Sequence, residues 1–352
     1  MHWHHPKRVS IRRRTWPLHV KNSIETAGVG FVDLTIVIVN WNGAELLRNC
    51  LASVANAQGS LAVQVIVVDN DSWDGSREMV QWKFPQFQLV NSGANLGFGK
   101  ANNLARPLAR SDLVLFLNPD TVLLENSLAP MVEFIRRHPE IGALGCKMRE
   151  EDGTPHELPL QWSPTPWTQF LHLLLATNNM PSGLKKLLPY ADPRHSGFVT
   201  KLYGGCIMAR KTALDAIGWF DERYFMYAED VDLCYSLLQR GWKLYYLSEA
   251  EIIHIAGGTS RKTKREFPIL MMCESICQLM RKYYGRAGGL LYRLGVFTSC
   301  HFRLLLLVIL RGLAVVSPIG RRVNFADSSF RYRVMILWCL KLRKPMIPQK
   351  VG

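Results

Sequence analysis

Apolar residues along this chain fall in short β-branched runs that alternate with stretches of helical period. The run Thr35 to Asn40 reads as a central parallel strand, because β-branched side chains suit a pleated surface buried on both faces. Beyond it, Leu46, Leu47, Cys50, Leu51 and Val54 recur at helical spacing, with Asn42 expected as N-cap and Glu45 three residues on. Gln64 to Val68 gives a second strand ending at Asp69. Asp74 and Ser76 are placed to cap a helix reaching about Phe84, and Phe87 to Val90 gives a third strand ending at Asn91. A glycine-bearing turn from Asn95 to Asn103 runs into another helix. The fourth strand, Leu113 to Leu117, is five apolar residues stopped by Asn118-Pro119-Asp120. Strand and helix alternating four times predict an α/β fold, with a doubly wound, Rossmann-like, mostly parallel sheet. Asn40, Asp69, Asn91 and Asp120 then share the carboxyl edge, where open α/β sheets bind their ligands.

Farther along, residues 151–200 are Pro-rich and irregular except for an apolar helix near Trp167 to Ala176, which reads as an insertion over the cleft. The pattern sharpens again at Leu202 to Arg210, Gly218 to Asp221 and Phe225 to Leu233. The last of these opens a helix that Gly241 is expected to close in the C′ position. A strand from Lys243 to Leu247 and a segment from Ile252 to Ser260 follow. From 262 onward the sequence is helical, apolar and basic. Gly288 to Ile319 is largely apolar but interrupted by Arg293, Arg303 and Arg311. A spanning helix wants about 20 predominantly apolar residues, and a central Arg costs roughly 2.5–3.5 kcal/mol. A pair of interfacial helices, with arginines reaching to headgroups, is therefore the expectation.

Charge divides the chain in the same places. Of the net +15, residues 1–32 hold six Lys/Arg against one acid, and residues 261–352 hold 18 against three. The middle has 19 against 24. We therefore expect a mobile basic arm (1–32), an α/β domain (33–260) and a helical, basic, membrane-associating region (261–352). Nucleic acid is not the expected partner, because the basic residues avoid the working domain and no recognisable module is present. An anionic membrane surface is. Eight scattered cysteines fit a reduced cytosolic compartment, and residues 1–32 lack the apolar core of a signal peptide. The expected location is cytoplasmic, peripheral on the inner face of the membrane.

The chemistry concentrates in a few polar positions. Asp120, at a central strand end, can hold a divalent cation against a substrate phosphate. Glu229 and Asp230 open a helix, where the N-terminal dipole favours ionised carboxylates. In chain order, Asn40-Trp41-Asn42, Val67-Val68-Asp69-Asn70 with Ser72 and Asp74-Gly75-Ser76, Asn95-Leu96-Gly97-Phe98, Asn118-Pro119-Asp120, Gly204-Gly205, Glu229-Asp230 and His254 resemble one family. It is the inverting glycosyltransferases of family 2, whose nucleotide-sugar fold is called GT-A. The resemblance covers residues 33–260. The Asn-Pro-Asp form of the metal motif, with Ala228 to Leu233 later, is similar to bacterial rhamnosyltransferases of cell-surface polysaccharide assembly.

That resemblance implies a set of roles. Asp69 would meet the pyrimidine base, and Asn95 and Gly97 the ribose and diphosphate. Asn40, Asn118, Gly204 and Gly205 would complete donor binding, and Asp120 with His254 would hold Mg²⁺ or Mn²⁺. Asn118 stands where many relatives carry a second carboxylate, which weakens the protein's own grip on a cation. Asp230, beside Glu229, would be the general base that takes the acceptor's proton. The implied donor is dTDP-rhamnose, with UDP-galactofuranose, UDP-glucose and UDP-N-acetylglucosamine open. The implied acceptor is a glycan or a polyprenyl-diphosphate-linked sugar. A nucleotidyltransferase would require a Gly-rich basic signature after the first strand, and Asn40 to Ala44 has neither Lys nor Arg.

Overall fold

A computed structural model describes residues 31–175, 187–255, 265–314 and 325–347. Nearly all of the expected basic arm lies outside these residues, as do Gly257 to Ser260 and the end of the apolar stretch beyond 314. Strands β1 (Leu34–Asn40), β2 (Val63–Asp69), β3 (Gln88–Asn91) and β4 (Leu113–Leu117) pair in parallel in the order β3-β2-β1-β4. They are joined through helices α1 (Ala44–Ala57), α2 (Ser76–Lys83) and α3 (Phe98–Asn103). Every residue of β1 and β4 is buried, as continuous apolar strands covered on both faces must be. Leu34, Ile36 and Ile38 pack with Leu47, Leu51 and Val54 of α1 on one face. Val37 and Val39 pack with Ala101 of α3 on the other.

Beyond β4 the sheet becomes mixed. Strand β8 (Cys206–Arg210) joins β4 antiparallel, followed by β6 (Ile141–Arg149), β9 (Lys243–His254) and β5 (Thr121–Leu123), while β7 (Gly197–Val199) pairs with β9. Helix α4 (Leu128–Arg137) backs the first face, and α6 (Lys211–Ile217) and α7 (Glu229–Gln239) the second. Helix α5 (Pro166–Leu175) is the one expected in the insertion. The two segments anticipated at 243–247 and from 252 are one strand, β9. Its pairing with β6 slips opposite Cys146 and Lys147, where Ser248 to Ala250 interrupt the register.

One cap differs from expectation. Asn42 is not the N-cap of α1; its φ is +52°, and its Oδ1 accepts from Trp73 N at 2.9 Å. The N-cap position is Gly43, and Ala44 N donates to Asp74 Oδ2 at 2.9 Å. The cap thus comes from the next βα loop, and Asp74 Oδ1 also accepts from Ser76 N at the start of α2. One carboxylate serves two helix N-termini, which a local pattern cannot reveal.

The C-terminal helices are α8 (Phe267–Ala314) and α9 (Phe325–Cys339). Tyr284 and Gly285 leave helical geometry and break α8 into two arms. A third core forms where Leu270, Cys277 and Met280 of the first arm meet Val296 of the second, Trp338 of α9, and Tyr224 and Ala228 before α7. At its edge sits Asp232 of α7, 2% exposed. Its carboxylate accepts from Lys282 Nζ (2.7 Å), Tyr283 OH (2.8 Å) and Tyr224 OH (3.3 Å), and Lys282 Nζ also lies 2.9 Å from Asp221. Lys282→Met leaves this carboxylate buried without its cation. It is expected to lower unfolding stability by about 3 kcal/mol, the lower end for breaking a buried pair. Urea unfolding of the full chain checks this, with Lys282→Arg, which keeps the cation, expected to avoid most of the loss.

Candidate active site

A cavity of about 800 Å³ opens at the carboxyl edge of the sheet. Of the residues singled out in the sequence, Asn95, Gly97, Asn118, Asp120, Gly204, Gly205, Glu229, Asp230 and His254 line it. Asn40 and Asp69 do not. Asp69 is 1% exposed, and its carboxylate accepts from Ser72 N (2.9 Å) and Asn40 Nδ2 (3.4 Å), with Arg77 Nε 3.7 Å away. Both residues brace the wall from behind, and the neighbouring Trp41 and Asn70 face the cavity. Asn70 fastens the glycine turn: its Oδ1 accepts from Leu96 N (2.8 Å), and its Nδ2 donates to Asn95 Oδ1 (2.9 Å). Gly97 has φ +80°, and a Cβ there would fall 2.1 Å from Phe225 O. No side chain fits, because Phe98 N donates to that same carbonyl at 2.8 Å.

The Asn118-Pro119-Asp120 turn is held by three elements. Asn118 N donates to Gly205 O (3.0 Å), Thr121 N to Asn118 O (3.2 Å), and Ile255 N to Asp120 O (2.8 Å). His254 closes β9 directly opposite Thr121, so that its Nε2 comes 3.4 Å from Asp120 Oδ1. Both side chains are buried, and Asp120 Oδ1 and His254 Nδ1 lack a hydrogen-bond partner. Donors bound to one divalent ion at roughly 2.0–2.2 Å stand about 3 Å apart, so this pair fits a shared cation. Among the described residues no group of three or more His, Cys, Asp or Glu side chains could hold a metal alone. A cation here would draw its remaining ligands from substrate oxygens and water. His156, which sequence reasoning passed over, stacks edge-on against His254 at 5.2 Å.

Facing this pair is the start of α7. Tyr227 and Ala228 both take left-handed φ, +68° and +63°, an uncommon conformation for non-glycine residues that turns the chain sharply into the helix. Met226 O is held by Ser275 Oγ of α8 at 2.7 Å. Asp230 packs so tightly on Gly204 that a Cβ there would meet its Oδ2 at 2.9 Å. The two acids at this terminus separate by environment. Burial, then the charge of Asp230, pushes Glu229 up to about 8, and its Oε2 has no hydrogen-bond partner. Burial also raises Asp230, but Val231 N (2.8 Å to Oδ1), the Gly204 N–H and the Lys201 charge stabilise its anion. Of the two, Asp230 is the one whose anion meets stabilising donors, and Glu229 the one whose proton is held by burial.

These features are those of a GT-A fold: a parallel quartet, a glycine turn, an Asp–His pair at a strand end and two carboxyl residues in the same cavity. The family model described as glycosyl transferase family 2 matches residues 35–218, and the chain belongs to that family. It is 31% identical over 250 residues to an N-acetylglucosaminyl-diphospho-decaprenol L-rhamnosyltransferase of Mycobacterium tuberculosis, covering 63% of this chain and 75% of that one. Rhamnosyltransferase WbbL of Escherichia coli is 28% identical over 178 residues, covering 48% and 65%. In fold it resembles a mannosyltransferase of Pyrobaculum calidifontis solved with GDP-Man and Mn²⁺ (TM-score 0.56, 16% identity, 89% and 87% covered). The resemblance to bacterial rhamnosyltransferases read from the motifs is thus shared by these two relatives over the parts of the chain they match.

The protonated state of Glu229 has a measurable consequence. Its pKa rises on folding, so between roughly pH 4.5 and 8 the folded chain binds more protons than the unfolded one, and stability falls as pH rises. Glu229→Gln removes this dependence. The variant is expected to gain on the wild type steadily from pH 5 to pH 8 and to hold that gain above it, measured by thermal unfolding.

Proposed function

We propose that this enzyme transfers L-rhamnose from dTDP-rhamnose, with inversion, to a sugar carried on a polyprenyl diphosphate at the inner membrane face. The observation that carries the reading is the placement of Asp230, its carboxylate met by the Val231 and Gly204 N–H groups, in one cavity with the Asp120–His254 pair. The decaprenol-linked acceptor named for the mycobacterial relative supports the acceptor class. Asp230 accepts the proton of the acceptor hydroxyl as that oxygen attacks the anomeric carbon. The bond from that carbon to the nucleoside diphosphate breaks on the opposite face, which inverts the centre. The residues fitted to a divalent ion are Asp120 and His254; bound there, Mg²⁺ or Mn²⁺ neutralises charge on the departing diphosphate. Asn95 and Gly97 keep the glycine turn in place beside it. Residues 33–260 form the transferase unit in this reading.

Nucleotide release from a panel of dTDP- and UDP-sugars tests the donor, with dTDP-rhamnose expected to turn over fastest. Asp230→Asn is expected to lower kcat by roughly 10²–10⁴ while donor binding stays near wild type. Excess chelator should stop turnover, and Asp120→Ala should weaken donor binding in Mg²⁺ or Mn²⁺ alone. Retention of more than about a tenth of kcat by Asp230→Asn, below the general-base range, removes the base assignment.

Residues 261–352 are proposed to place the enzyme on the membrane. The second arm of α8 exposes Leu290, Leu294, Phe302, Leu305 and Ile309 on one side. Within the described residues Phe267–Ile309 is the helix long and apolar enough, by length and composition, to cross a membrane. Arg293 and Arg303 do not interrupt the exposed side as the sequence suggested. Arg293 lies over the Trp338 ring at 4.3 Å and donates to Trp338 O and Cys339 O, and Arg303 lies over Tyr332 at 5.6 Å. Helices α5 and α9 cover the other side, which favours a helix lying in the interface over one spanning it. Sedimentation with anionic and neutral liposomes should show stronger anionic binding, lost at high salt or alkaline extraction. Equal binding to both, or resistance to extraction, overturns the peripheral reading.

A further inference from the structure

The cavity holds a cation that donor binding and base catalysis leave unexplained. Lys201, just after β7, lines it together with His172 of α5. Its backbone is pinned by Gln161, whose Oε1 accepts from Lys201 N at 3.0 Å and whose Nε2 donates to Lys201 O at 3.4 Å. Behind it, His172 lies within the electrostatic reach of both Lys201 and Arg303. Arg303 Nη2 is buried without a hydrogen-bond partner. The acid that faces Lys201 is Asp230, which the reaction requires for the acceptor hydroxyl. Burial drops the Lys201 ammonium to about 8 despite that carboxylate, and burial, Lys201 and Arg303 together drop His172 to about 4. Lys201 and His172 thus share the cavity lining, with Arg303 within electrostatic reach of His172.

The wall beside them is apolar. Leu158 and Trp162 of the insertion face Met272, Ile276 and Leu279 of α8 across the same cavity. Ser299 Oγ donates to Leu173 O at 3.2 Å, tying α5 to the arm of α8 that carries the exposed apolar side. The cavity therefore joins the Asp230 carboxyl, the Lys201 ammonium and an apolar wall that includes α8.

We propose that Lys201, backed by His172 and Arg303, forms a second anion site in this cavity. It takes the phosphate groups of a lipid-linked acceptor whose chain lies along the apolar wall. The proposal rests on the acceptor class given above and adds the residues that recognise it. It separates the two diphosphates of the reaction, with the donor's at Asp120 and the acceptor's at Lys201, and leaves the acceptor sugar between them beside Asp230.

Calorimetric binding to the full-length protein tests this without transfer chemistry. Geranyl diphosphate is the probe, with inorganic diphosphate and geraniol as controls for charge alone and chain alone. Wild type should bind geranyl diphosphate more tightly than either control, and equally well when dTDP already fills the donor site. Lys201→Met should weaken that binding at least about tenfold, as expected for loss of a charge-assisted contact, with Lys201→Arg close to wild type. Thermal unfolding checks that the Met variant is folded. Unchanged binding in Lys201→Met, displacement of the probe by dTDP, or equal affinity for inorganic diphosphate each overturns the proposal. If wild type ignores the probe yet transfers sugar to a neutral acceptor glycoside, the anion site fails and the transferase reading stands.

Discussion

The site depends on how Asp232 is held. Three donors from two distant stretches of chain converge on one carboxylate, and Lys282 is shared with Asp221. Removed from water, this carboxylate is tolerable only because every strong donor near it is aimed at it. The consequence reaches past stability. Helix α7 begins three residues earlier, and the left-handed pair Tyr227–Ala228 is a conformation the chain would leave if its ends were free. Asp232 fixes one end of that turn, and Ser275, holding Met226 O, fixes the other. Asp230 thereby gains an orientation that its own side-chain contacts could not impose.

Much of this was readable in the sequence, for an identifiable reason. Continuous β-branched runs and their abrupt polar stops survive any tertiary context, so the four parallel strands and the Asn118-Pro119-Asp120 turn were legible. Three failures share the opposite cause. Strand β6 drew no expectation because Gly142 and Gly145 dilute its apolar character. Those glycines exist to admit partners: a Cβ at 142 would lie 2.7 Å from Trp242 Cβ, and one at 145 would lie 2.8 Å from Leu202 Cδ2. The capping role of Asp74 crosses from one βα loop to its neighbour. Lys201, His172 and His156 carry no motif at all, and only folding of the insertion brings the first two to the cavity and His156 against His254.

Charge placement and site chemistry tell one story. The acidic middle of the chain holds several buried carboxyl groups around the cavity, and each meets a different environment. Asp69 is satisfied within the wall, burial holds the proton on Glu229, and backbone N–H groups stabilise the anion of Asp230. Identical side-chain chemistry is thus given different proton affinities by the number of donors each carboxylate meets.

Gly285 adds a mechanical consequence. Its φ of +64° and ψ of −165° belong to a region essentially reserved for glycine, and it sits between the arm of α8 that grips Asp232 and the arm with the exposed apolar side. A continuous helix would act as a rigid lever, carrying every tilt of its outer half into the position of the base. A break at this point turns the lever into two struts meeting at a joint. The outer strut can thus take a direction set by its own packing on α5 and α9, while the inner one keeps its hold on Asp232.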